Sequence, residues 1–266
     1  MQASNAKRIV IKIGTSTLTH ESGKPNIRCI DRLCRVLADL SNSGRDIVLV
    51  TSGAIGVGVG RLGLTERPSD TAGRQAMAAV GQCELMSMYD RFFSEYGKNC
   101  AQVLIAGDIV DHENQKTHLC SCLNKLLELS IIPVINENDA VSVDELEGHN
   151  FGDNDNLSSV VARMIGADAL VMMTDMNGLY DKDPRMDESA VQIPVVLEIN
   201  DSIRALAGGS GSKRGTGGMM TKLAAAEAAV AAGIDTYIVK GSEPEALYDL
   251  IADGKQVGTH FVPKRG

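Results

Sequence analysis

Arg8-Ile9-Val10-Ile11-Lys12-Ile13, running directly into Gly14-Thr15-Ser16-Thr17, has the composition of a buried strand that opens into a loop. Working outward, further Ile- and Val-rich runs fall at 46–51, 101–106, 131–136, 168–174 and 234–240. Between them, near 27–43, 73–96, 115–129, 156–166, 219–232 and 243–252, apolar residues recur three and four apart, the spacing of one helix face. Strand and helix alternating from start to finish indicate βα units around a mainly parallel sheet covered on both faces, an α/β fold. Gly44 and Gly97 follow helices as C-cap glycines do, and Pro244 falls in the first turn of the last helix. No Pro/Ser-rich linker or charge block divides residues 1–266, so one domain with two functional lobes is expected, and the glycine cluster over 208–218 reads as a mobile loop.

Bulk properties narrow the function classes. A 266-residue chain that is 44% hydrophobic has ample material for a core. Its net charge of −8, with no Lys/Arg run before Lys264-Arg265, argues against nucleic-acid binding, while a few local lysines can still hold a small anion. The polar residues 1–7 lead straight into the first apolar run, so neither a signal peptide nor a membrane span is expected, and the reading is cytoplasmic. Cysteines at 29, 34, 83, 100, 120 and 122 lack CxxC spacing and read as reduced structural thiols. His118-x-Cys120-x-Cys122 falls inside an amphipathic helical pattern, so no metal site is expected there.

Ligands in open α/β sheets bind beyond the carboxyl ends of the strands, which is where the polar motifs collect. The first strand ends in Lys12 and Gly14, a cation beside a glycine that permits close backbone approach, although a lone lysine is a weak signal. After the second come Thr51-Ser52-Gly53-Ala54-Ile55-Gly56-Val57-Gly58, small residues that fit either an anion cradle at a helix start or tight helix packing. The fourth ends in Asn136-Glu137-Asn138-Asp139, and Gly152-Asp153-Asn154-Asp155-Asn156 then opens a helix. One of these aspartates could simply cap the helix, but two acid and amide clusters at strand ends should bind a cation, either a metal or an amino group. The fifth ends in Thr174-Asp175, followed by Gly178-Leu179-Tyr180 and Asp183-Pro184-Arg185. Finally, Gly215-Thr216-Gly217-Gly218-Met219-Met220-Thr221-Lys222 runs from a glycine loop into a helix, without the spacing of a P-loop. Lysines, anion cradles and clustered acids, with no nucleophile beside a histidine base, suit phosphoryl transfer.

On these motifs the whole chain resembles the amino acid kinase family, and within it the kinases of free glutamate, for which the two acid and amide clusters are the most specific pieces. The resemblance implies a three-layer αβα sandwich, an N-terminal half for glutamate and a C-terminal half for ATP. It implies transfer of phosphate from ATP to the γ-carboxylate of L-glutamate, giving L-glutamyl 5-phosphate and ADP as the first step of proline biosynthesis, with Mg²⁺ as companion of the nucleotide. Lys12 and Lys222 would flank the transferred group, with Asp153 organising both lysines. Ser52, Gly53, Asn136, Asp139, Asn154 and Asp155 would hold glutamate. Lys12, Gly14, Thr174, Asp175, Thr216, Gly217, Gly218, Met219, Met220, Thr221 and Lys222 would hold ATP. A homo-oligomer, dimer or tetramer, inhibition by proline, and no C-terminal RNA-modification-type domain within 1–266 complete the expectation. Sibling kinases acting on acetylglutamate, aspartate, carbamate or UMP would share the nucleotide half but differ in the substrate loops. A dinucleotide-dependent dehydrogenase fits less well, because no GxGxxG follows the first strand.

Overall fold

The computed structural model describes residues 3–107, 109, 112–141, 154–207 and 218–264. Strands β1 (Arg8–Ile13), β2 (Asp46–Val50), β3 (Cys100–Ile105), β4 (Ile132–Glu137), β5 (Ala169–Thr174) and β9 (Asp235–Lys240) coincide with the six apolar runs. Shorter strands β6 (Leu179–Tyr180), β7 (Gln192–Ile193), β8 (Val195–Val196) and β10 (Thr259–Phe261) have no periodicity to betray them. The helices are α1 (Thr15–Leu18), α2 (Ile27–Asn42), α3 (Ala54–Leu62), α4 (Thr71–Glu95), α5 (Glu113–Glu128), α6 (Asn154–Met164), α7 (Asp201–Ala207) and α8 (Met219–Ala231). The last expected helix, 243–252, is instead a short irregular segment with a π turn at Tyr248–Ala252.

The main sheet has eight strands in the order β3-β4-β2-β1-β5-β9-β10-β8 and is parallel except where β10 runs against β9. β1 lies at its centre, paired in register with β2 through Lys12↔Val50 and with β5 through Lys12↔Met172. The chain builds outward from β1 to one side and then returns to lay β5 and β9 on the other. A crevice is therefore left beyond the carboxyl ends of β1 and β5.

Side-chain alternation along β1 sets which helices meet which residues. Ile9, Ile11 and Ile13 enter a core with α2, α3 and α4, whereas Val10 enters a second core with Leu157 and Val161 of α6 and Leu223 of α8. Lys12 shares the face of Val10, because successive strand side chains alternate. The lysine at the strand end is thereby aimed at the first turns of α6 and α8.

On the opposite face, α3 and α4 pack backbone to backbone. A Cβ on Gly58 would stand 2.0 Å from the Met77 carbonyl oxygen, and one on Gly81 would stand 1.8 Å from that of Ala54. The small residues after β2 thus serve tight packing as well as loop geometry. Gly53 adopts φ 91° at the N-cap of α3, a left-handed conformation that favours glycine. The close approach presses one face of α4, which carries Gln82 and Tyr89, onto the ends of β2 and β4.

Candidate functional site

At the centre lies a buried ion network. The Nζ of Lys12 is 2.6 Å from Asp155 Oδ1, and the Nζ of Lys222 is 3.0 Å from Asp155 Oδ2. Asp155 is fully buried, with Lys12 and Lys222 only 3% and 6% exposed. A carboxylate so deeply buried is tolerated because it is paired on both oxygens. Thr221 Oγ1 also approaches Asp155 Oδ2, at 2.9 Å. Asp153, the expected organiser of the lysines, lies outside the described residues. Asp155, expected to contact substrate, has both oxygens engaged by cations of the chain itself.

Beside this network stands a cluster of amides and hydroxyls. Asn154 Nδ2 donates to the Thr51 carbonyl at 2.7 Å and also lies 2.9 Å from Ser52 Oγ and 2.9 Å from Asn136 Oδ1. Asn136 Nδ2 donates in turn to Gln82 Oε1 at 2.8 Å. Thr51 is anchored from the other side, its hydroxyl 2.7 Å from the Tyr89 hydroxyl. Ser52, Asn136 and Asn154 are thus brought together from three elements, with Gly53 next to Ser52 at the N-cap of α3 and Asp155 in the ion network. Gln82 and Tyr89 were not singled out from sequence, since each sits on a helix whose neighbours are apolar.

Asp139 stands apart, one turn beyond β4, in the wall of a cavity of about 350 Å³ shared with Ala78, Gln82, Glu137 and Asn138. Burial, and then repulsion from Glu137, pushes its carboxyl up to about 6, with Arg67 and Arg74 pulling the other way. The carboxylate is charged at neutral pH but held at a disadvantage that a cation in the cavity would relieve.

On the far side of Lys222 a second cavity is lined by Thr174, Asp175, Gly178, Tyr180, Asp183, Arg185, Gly218 and Met219, together with Lys222 itself. Gly218 is the N-cap of α8, so first-turn N–H groups face this space with no side-chain cap. Thr174 donates to Asp175 at 3.0 Å, and Arg185 pairs with Asp183 at 3.0 Å. Leu206 and Ala207 add an apolar wall that sequence reading did not identify. Met220 is 48% exposed and does not line the cavity, and Thr216 and Gly217 fall outside the described residues. Gly14 caps α1 and donates its N–H to the Met173 carbonyl at 3.3 Å, tying the end of β1 to β5 beside the Lys12 ammonium.

The amino acid kinase family is matched by residues 7–240. The chain belongs to this family. It is similar to the glutamate 5-kinase of Clostridium perfringens strain 13, at 49% identity over 263 residues covering 98% of this chain and 97% of that one. A glutamate 5-kinase from Listeria welshimeri is 46% identical over 262 residues, covering 98% and 95% of the two chains. Among solved structures, the amino acid kinase fold is shared with UMP kinase from Bacillus anthracis, at TM-score 0.65 and 16% identity over 98% and 97% of the chains. Isopentenyl phosphate kinase from T. acidophilum superposes at TM-score 0.63 and 17% identity, covering 96% and 99%. Likeness at such identity speaks for the fold alone. All six cysteines are free thiols, and among the described residues no helix is long and apolar enough to cross a membrane.

Proposed function

We propose that this amino acid kinase transfers the γ-phosphoryl group of ATP to the side-chain carboxylate of free glutamate, giving L-glutamyl 5-phosphate and ADP, the first step of proline biosynthesis. One observation carries the reading: Lys12 from the N-terminal half and Lys222 from the C-terminal half meet on one buried carboxylate, between an amide cluster and a cavity floored by a helix N-terminus. The similarity to glutamate 5-kinases over nearly the full chain supports the choice of acceptor.

The chemistry follows from charge. A glutamate side chain has a pKa of about 4.3 and is already ionised at neutral pH, so no general base is needed. Bringing that anion to a phosphoryl group is the difficulty, and neutralisation and positioning are the remedy. Asp155 fixes both ammonium groups, so neither must reorganise as charge develops. Asp155 is in this account a positioning residue, the role the family resemblance gave to Asp153. Ser52, Gly53, Asn136 and Asn154 would hold the acceptor end of glutamate, and Asp139 its ammonium. Thr174, Asp175, Gly218, Met219 and the loop with Thr216 and Gly217 would hold the nucleotide, its phosphates on the N–H groups at the start of α8.

Among the described residues no three acidic, histidine or cysteine side chains gather as a metal cage. Asp175, a carboxylate of the cavity wall, would help to hold the nucleotide's cation, with phosphate oxygens and water as its other ligands. When bound, Mg²⁺ would supply further neutralisation of the phosphates. Proline, which keeps the ammonium and α-carboxylate but lacks a phosphate acceptor, would compete for the glutamate end. ADP release measured with free glutamate, N-acetylglutamate, aspartate and UMP as acceptors tests the reading. Turnover should require free glutamate, and efficient turnover of any other acceptor in its place would overturn it.

A further inference from the structure

The amide cluster has a direction that can be worked out atom by atom. A backbone carbonyl only accepts hydrogen bonds, so the Asn154 atom 2.7 Å from the Thr51 oxygen is the amide nitrogen. That nitrogen can only donate, so the Asn136 atom 2.9 Å away is the amide oxygen. The other terminal atom of Asn136 is then its nitrogen, and the Gln82 atom 2.8 Å from it is Oε1. A fixed carbonyl at the end of β2 therefore orients three side-chain amides in series. At the end of the series the Nε2 of Gln82 is left pointing away from Asn136.

That nitrogen is buried and has no hydrogen-bond partner among the described residues, while Gln82 as a whole is only 8% exposed. Gln82 lines the same cavity of about 350 Å³ as Glu137 and Asp139. Ala78, Gln82, Leu85 and Tyr89 form the buried stripe of α4, so the glutamine occupies a position where the pattern of the helix calls for an apolar residue. A buried amide without a partner is destabilising, and its persistence at a cavity wall points to a ligand that completes it.

We propose that Gln82 reads the α-carboxylate of the amino acid substrate, its Nε2–H groups donating to a carboxylate oxygen while Asp139 across the cavity takes the ammonium. This rests on the glutamate reading of the site. With the side-chain carboxylate held near Lys12, Ser52 and Asn154, the α-carbon end must extend along the amide series. Gln82 lies two hydrogen bonds further on, in the wall of the cavity that also holds Asp139. Arg74 lies one helical turn before Ala78 on the same face of α4. The cavity thus offers a donor for a carboxylate beside a carboxylate for an ammonium, the two groups of a free amino acid, with Arg67 and Arg74 acting on Asp139 against Glu137.

Gln82→Glu turns the donor into a charged acceptor that repels a substrate carboxylate, while the new carboxylate still accepts from Asn136 Nδ2 and the series stays intact. Losing a hydrogen bond to a charged group should raise the glutamate KM by roughly 100-fold while the ATP KM stays within about threefold. The glutamate α-amide supplies the readout that a structural role would not move. Its –CONH2 can donate to the new carboxylate, so the kcat/KM ratio of glutamate over its α-amide should fall by roughly 100-fold or more. An equal loss on both substrates, a glutamate KM near that of the unaltered chain, or α-amide turnover that does not gain on glutamate would overturn the assignment of Gln82. Failure of the unaltered chain to turn over glutamate would overturn the glutamate reading as well.

Discussion

Replacing Asp155 by Asn removes one negative charge while preserving shape, and the network around it makes the consequence calculable. In the native chain two ammonium groups, 2.6 and 3.0 Å from the carboxylate oxygens, are buried with it. In the variant one of them faces an amide –NH2, and both buried ammonium groups lose the full negative charge that lay within hydrogen-bond distance. Removing one partner from a buried ion pair is destabilising by about 3–5 kcal/mol. That is a large part of the roughly 5–15 kcal/mol that holds a domain folded. At roughly 2–4 °C per kcal/mol for a chain of this size, the melting temperature should fall by about 6–20 °C. Thermal unfolding followed by circular dichroism at pH 7.5 measures this directly. An anion can take the place of the lost charge, so ATP or sulfate should raise the melting temperature of the variant more than that of the native chain. A variant melting within about 2 °C of the native chain would refute the argument that this carboxylate holds the two halves of the site together.

Lys12→Ala and Lys222→Ala each leave Asp155 with one cationic partner, so both should fold, with kcat reduced by about 100-fold or more and a smaller change in glutamate KM. Steady-state kinetics with unchanged circular dichroism would check this, and a near-normal kcat would remove that lysine from the transition state. Burial raises the Asp139 carboxyl to about 6, so the folded chain keeps a proton that the unfolded chain releases near pH 4. Its stabilising contribution is present below that lower value and is lost as pH rises through 6. Asp139→Asn should therefore raise the melting temperature of the ligand-free chain at pH 7.5 by a few degrees while raising the glutamate KM far more than the ATP KM. By the same sign, the native glutamate KM should climb as pH falls from 7 to 5. A glutamate KM unaltered by the substitution would show that Asp139 does not read the amino group.

The six long strands were legible because each is rich in apolar residues, most plainly β1, β2 and β5, which are buried on both faces in the middle of the sheet. β8 and β10, with two and three residues, carry too few side chains for any period to show; β10 forms on the edge of β9, and β8 on that of β10. α3 was hidden by its own composition: Ala54–Leu62 contains three glycines, poor helix formers, and is held by packing through Gly58 and Gly81. The residues of the site were legible as types and as clusters, but their division of labour was not. That Asp155 meets Lys12 and Lys222 depends on the phase of α6 against β1 and α8, and a sequence does not state that phase. Gln82 was invisible for a related reason, since its meaning depends on Asn136 and Asn154, 54 and 72 residues further along the chain.

The most direct test of the central claim is to trap the product. Purified chain incubated with ATP, Mg²⁺, glutamate and hydroxylamine should form glutamyl γ-hydroxamate, identified by mass, in amounts that match the ADP released. N-acetylglutamate in place of glutamate should give little. ADP release without a glutamate-dependent hydroxamate, or equal hydroxamate from N-acetylglutamate, would contradict phosphorylation of the side-chain carboxylate of free glutamate.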